Sequence, residues 1–254
     1  MKVVLLGSGN VATHLAKALK ANGEEIVQIY SKQLDHAALL ANLMGCQAVQ
    51  KLNDLNPDAD LYIIAVKDDV IAEVALALKN FEGLVVHTSG TTDLALLSAI
   101  VKHAGVFYPL QTFSKAKDVS FEQIPICIEA NDEDQLAVLK KIASKLSRQV
   151  HELGGDKRRV LHLAAVFASN FPNHLYALAN QILEENNLDF QIIRPLIAET
   201  AEKVMFSLPN KVQTGPAIRE DENTINKHLE MLKSMPELQS IYQSLSESIK
   251  LTLK

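Results

Sequence analysis

Short apolar runs alternate with segments of helical period from the start of the chain to about residue 152, and past Gly154 and Gly155 the strand-like runs stop. Alternation of this kind is the signature of a parallel sheet wrapped by helices. Strands are predicted over 3–6, 25–30, 46–49, 61–66, 84–87, 105–110, 124–129 and 148–152. Helices are predicted after residue 10 and over 35–44, 70–78, 94–102 and 133–146. From Asp156 onward the pattern is helical only. A long helix is expected over 162–185, kinked at Pro172 because apolar periodicity resumes on both sides of it. A second helix is expected over 190–206, and two more after a loop over 208–216. The expected architecture is therefore an α/β Rossmann fold with a mostly parallel, doubly wound sheet in residues 1–153. An all-α domain follows in residues 154–254.

The first strand runs directly into Gly7-Ser8-Gly9-Asn10-Val11-Ala12, after which Val11, Leu15, Ala18 and Leu19 recur at helical spacing. Strand, glycine turn and helix in that order form a dinucleotide-binding pattern. Gly7 permits the tight turn, Gly9 lets the backbone approach a pyrophosphate, and Ala12 keeps the helix close to the sheet. The amides and dipole of the helix start then hold phosphates. The residue that reads the ribose lies about 20 residues further on. Here the second strand ends in Tyr30-Ser31-Lys32-Gln33, with no carboxylate before Asp35. A hydroxyl and a cation suit a 2′-phosphate, so the expected cofactor is NADP, with Val66 and Lys67 passing beside it.

Composition is compatible with this class without selecting it. The chain has 254 residues, 48% hydrophobic, with a formal net charge of −5. No basic stripe points to nucleic acid, and no apolar run approaches the length of a membrane span. Cys46 and Cys127 lie far apart without metal-ligand spacing, so no metal is expected and both read as buried free thiols. No signal peptide is expected before the first strand, and a reducing, cytoplasmic setting follows.

In open α/β sheets the ligand lies beyond the carboxyl ends of the strands. Three candidates stand there. Residues 66–69 would pass the cofactor, with Asp69 equally suited to capping the next helix. Residues 87–90 offer Ser89 near the reactive end of the cofactor. Residues 108–114 gather Tyr108, Gln111 and Thr112 between apolar positions, either as a site or as a turn set by Pro109. In the helical region, His162, Ser169 and Asn173 are spaced to share one face, with Asn170 adjacent. Buried, such groups need partners, which a substrate or a neighbouring helix could supply. Arg219 could clamp a carboxylate or lock to Asp221.

The order of these segments resembles Rossmann-like proteins carrying the domain of unknown function 2520. That family is similar to pyrroline-5-carboxylate reductases and other NADP-dependent oxidoreductases with a 6-phosphogluconate-dehydrogenase-like helical C-terminal domain. The matching pieces are residues 7–12, 65–69, 87–90, 109–114, 168–170 and 215–221 with His228. Tyr108 stands where the family usually has His, and Glu220 where it usually has Gly. The resemblance implies hydride transfer between NADPH and a small C=N or C=O substrate, held by Gln111, Thr112, Asn170, Asn173 and Arg219. Ser89, Tyr108 and His162 are the candidate proton donors. It also implies a homodimer through the C-terminal helices. The alternatives are an NADP-binding sensor without catalysis and a dimeric interaction module. Val166 occupies the place of the lysine that hydroxyacid dehydrogenases of this type carry four residues before the Asn.

Overall fold

The computed structural model describes residues 1–252. In chain order, β1 (Lys2–Leu6) is followed by α1 (Asn10–Ala21), β2 (Glu25–Tyr30), α2 (Leu34–Met44) and β3 (Gln47–Val49). Next come β4 (Leu61–Ile64), α3 (Ile71–Ala77), β5 (Leu84–His87), α4 (Leu94–Ser98), β6 (Ala104–Pro109) and β7 (Ile126–Ala130). After them lie α5 (Glu133–Leu146), β8 (Val150–Glu152) and α6 (Gly155–Ala165). The eight strands form one sheet in the order β3-β2-β1-β4-β5-β6-β7-β8. Strands β1 to β6 are parallel, β7 runs antiparallel to β6, and β8 is parallel to β7. The expected Rossmann sheet is present, and its order reverses direction at β1 and β4, where ligands bind in such sheets.

Alternation along the buried strands assigns the two faces. Val3 and Leu5 of β1 pack with Leu15 and Leu19 of α1, Leu40 of α2 and Leu139 and Ile142 of α5. Val4 and Leu6 point the other way, onto Ile71 and Val74 of α3 and Leu97 of α4. One strand thus feeds two cores, which is why β1 and β4 read as continuous apolar runs and not as alternating ones.

The chain forms two compact units, the first being Met1–Asn170 and the second starting at Phe171. The sequence places the change of architecture at 153–154, where the last strand ends, whereas α6 packs with the first unit. In the second unit, α7 (Phe171–Glu185) and α8 (Arg194–Phe206) precede α9 (Glu222–Met231) and α10 (Pro236–Leu251). The long helix expected from 162 begins earlier, at Gly155, and ahead of Pro172, where a kink is expected, a π-helical segment spans Val166–Asn170. Proline has no N–H to donate and crowds the carbonyl four residues before it, and a widened turn there relieves both. The helix expected over 94–102 stops at Ser98.

Candidate functional site

The glycine turn between β1 and α1 has the conformation the sequence demands. Gly7 has φ of 128°, and a Cβ there would stand 2.2 Å from the Ala65 carbonyl oxygen, so only glycine fits between β1 and the end of β4. The Gly7 amide donates to the Tyr30 carbonyl at 2.8 Å, tying the turn to the end of β2. Gly9 caps α1 in an extended conformation, and its missing Cβ faces open space. No acidic residue sits in the first turn of α1, so the positive end of the helix is unopposed.

In front of this turn lies a cleft of about 660 Å³. Gly7, Ser8, Gly9, Asn10 and Val11 line one part of it, Ser31, Lys32, Gln33 and His36 another, and Val66 and Lys67 a third. Apart from Gln33 and His36, these are the residues that the sequence assigns to NADP. Lys32 is exposed and pairs with Glu73 at 3.2 Å, a contact that an anion in the cleft would compete for. Glycine-lined backbone, an unopposed helix start and a hydroxyl next to a cation fit a dinucleotide bearing a 2′-phosphate.

A second cleft, of about 540 Å³, opens beyond β6. Its lining includes Val11, Thr88, Tyr108, Gln111, Thr112, His162, Ser169 and Asn170. Val11 also lines the first cleft, so the two share a wall. Ser169 and Asn170, within the π-helical segment, line this cleft together with His162, while Asn173 lies on α7 in the second unit. Arg219 also belongs to the second unit. Hydrogen bonds from Thr224 hold the Asp221 carboxyl below its ordinary value, with the Arg219 charge adding to them.

The loop that carries Gln111 and Thr112 is pinned from α1. Asn10 Nδ2 donates to the Phe113 carbonyl at 2.8 Å, and His14 Nε2 meets the Ser114 carbonyl at 2.9 Å. The His14 ring also stacks on Phe113. The sequence reading missed this anchor, because the carbonyls that His14 and Asn10 meet lie about 100 residues further along the chain.

Ser89 is a turn organiser. Its hydroxyl donates to Asp68 Oδ2 at 2.7 Å and accepts from the amides of Thr91 and Thr92 at 3.1 and 2.9 Å. Asp68 therefore couples the ends of β4 and β5. Beside this turn, His87 is fully buried, and its Nδ1 accepts from the Ser89 amide at 3.2 Å. Burial, reinforced by the Arg158 charge, lowers its pKa to about 4. Arg158 on α6 is fully buried as well, ion-pairing with Glu129 of β7 and donating to the Thr92 carbonyl at 2.6 Å. The sequence reading missed Arg158. A charged residue early in an amphipathic helix ordinarily reads as solvated, and its partner lies 29 residues away.

Among the described residues no helix is long and apolar enough to cross a membrane. No group of metal-ligating side chains occurs among them either.

Fold and first cleft together define the class: an α/β protein that binds a dinucleotide at the strand-order reversal of its sheet. Two family models match the chain. The one described as NADP oxidoreductase, coenzyme F420-dependent, covers residues 2–88, and that of the domain of unknown function 2520 covers residues 124–249. The crystal structure of a putative NADP oxidoreductase from Bacteroides fragilis is 46% identical, covers 98% of this chain and 97% of its own, and superposes with a TM-score of 0.94. A protein from Thermotoga maritima is 25% identical over 98% of this chain and 96% of its own, with a TM-score of 0.73. The 1-pyrroline-5-carboxylate reductase of Streptococcus pyogenes shares the fold at 16% identity, covering 98% of each chain, with a TM-score of 0.62. No curated protein matches the chain. The chain belongs to the family of NADP oxidoreductases that carry the domain of unknown function 2520, and NADP is its cofactor class.

Proposed function

We propose that this protein reduces a small C=N or C=O substrate with NADPH. The observation that carries this reading is the pair of clefts meeting at Val11, one built from a phosphate-binding turn and the other lined by hydroxyl, amide and imidazole groups. In this reading Gly7 to Val11 hold the pyrophosphate, Ser31 and Lys32 hold the 2′-phosphate, and Val66 and Lys67 flank the cofactor. Gln111, Thr112 and Asn170 supply the hydrogen bonds that orient the substrate. NADPH, when bound, supplies the hydride. The protein positions the acceptor carbon and excludes water from it.

The same reading includes a homodimer built through the helical region. Neither α7 nor α8 buries a residue within the chain. On α8, Leu196, Val204, Met205 and Phe206 are all exposed. Helices apolar on several sides are ordinarily covered, and a second copy of the chain presents a matching surface by symmetry. The free thiols of Cys46 and Cys127 suit a reducing, cytoplasmic setting.

Titration with NADPH and NADH, followed by NADPH consumption across a panel of cyclic imines and 2-keto acids, tests the proposal. Tighter binding of NADPH together with turnover of one panel member is the expected result. Failure to bind either nucleotide overturns it, and tight binding without turnover across the panel points to a sensor.

A further inference from the structure

Tyr108 and His162 reach the second cleft from different elements, β6 and α6, and meet there. The Tyr108 Oη and His162 Nδ1 atoms are 3.0 Å apart, with the rings inclined at 62°. Their meeting point is backed by Gly90. A Cβ at that position would stand 2.6 Å from His162 Nδ1 and 2.9 Å from Tyr108 Cζ, so the turn after β5 leaves just enough room for the pair. Ser89, the remaining candidate donor named from the sequence, has its proton committed to Asp68.

We propose that Tyr108 is the proton donor of this cleft, and that His162 positions its hydroxyl and replaces the proton that it gives up. The inference rests on the reductase reading above. The carbon of the substrate's C=N or C=O bond gains the hydride that NADPH supplies when bound, and the π electron pair moves onto nitrogen or oxygen. That atom takes the Oη proton of Tyr108. The phenolate oxygen is reprotonated from Nδ1 of a His162 imidazolium, which ends as the neutral ring with its hydrogen on Nε2. His162 is only partly buried, so the ring regains a proton from water.

The need for the second residue is physical. Burial pushes the Tyr108 phenol up to about 12, with Cys127 on β7 adding to the rise and Arg158 on α6 opposing it. A phenol in that range gives up a proton slowly near neutrality unless a stronger acid replaces it. Cys127 does not fill that role, because burial raises its thiol too.

Two measurements test the pair, and the first requires no substrate. In protein carrying isotope-labelled histidine, the His162 ring is titrated by NMR in the wild type and in Tyr108→Phe. If the pair is coupled, the midpoint differs between the two proteins, and an unmoved midpoint overturns the proposal. In the second, 1-pyrroline is the probe. Tyr108→Phe is expected to lower kcat by roughly 10²- to 10⁴-fold while NADPH affinity stays within about twofold. His162→Gln is expected to flatten the pH dependence of kcat near neutrality. Wild-type turnover by Tyr108→Phe with NADPH still bound overturns the assignment. If the unaltered protein leaves 1-pyrroline untouched, the reductase reading fails for that probe, and the histidine titration still decides the pair.

Discussion

At the scale of single residues, Gly7 and Gly9 do different work although they belong to one motif. Gly7→Ala forces a side chain into the Ala65 carbonyl and holds alanine at positive φ. The conformation alone costs about 1–3 kcal/mol, so denaturant unfolding should show a clear loss of stability. Gly9→Ala meets open space and keeps an ordinary extended backbone. Its stability is expected to stay within about 0.5 kcal/mol of wild type, while NADPH affinity measured by titration falls if the pyrophosphate sits at Gly9 as proposed, because the new methyl would then crowd it. Lys32→Asp should weaken NADPH against NADH by roughly tenfold to a hundredfold, the worth of one charge-assisted contact. An unchanged affinity ratio rejects Lys32 as the phosphate reader. That the glycine turn and Ser31-Lys32 border one cleft was legible in the sequence, because a local turn and a strand end place them. The Ser89 hydroxyl was not, because its partner Asp68 comes from another strand end.

At the scale of elements, the strands and most helices followed from periodicity alone, with α5 matching its expected span. The π-helical segment did not, because a widened turn leaves no trace in a 3.6-residue pattern. Helix α6 is fixed to the sheet by the ion pair between Arg158 and Glu129. Arg158→Ala removes the buried guanidinium and its bonds to Glu129 and the Thr92 carbonyl and leaves Glu129 partly solvated, so it should cost about 1–3 kcal/mol in chemical unfolding. The end of β5 gives a pH dependence of definite sign. His87 has its pKa lowered to about 4 from an ordinary 6.5. The unfolded chain therefore takes up the proton first on acidification. The stability from keeping His87 neutral is fully present above pH 6.5 and is lost as pH falls through about 4. The loss approaches about 3 kcal/mol, and His87→Asn should flatten the stability profile between those two values.

At the scale of the whole molecule, the exposed apolar side chains of α8 predict the assembly. Phe206→Glu places a charge where 83% of the side chain is exposed. In sedimentation measurements it should shift a dimer towards monomer without lowering the stability of the fold. Unchanged association rejects α8 as the contact. The architectural class was legible from the loss of strand-like runs after residue 152, but the compact unit continues to Asn170, because helical pattern does not say which neighbour a helix packs on. One topological detail bears on how proteins of this shape diversify. Because β7 returns antiparallel to β6, the chain between Pro109 and Ile126 leaves and re-enters the sheet at the same end and needs no crossover helix. Such a connection can gain or lose residues between Ser114 and Phe121 while its base stays anchored through Asn10 and His14. Selection can thus vary the length and chemistry of this connection while residues 108–112, which line the second cleft, and the nucleotide-binding strands stay in place.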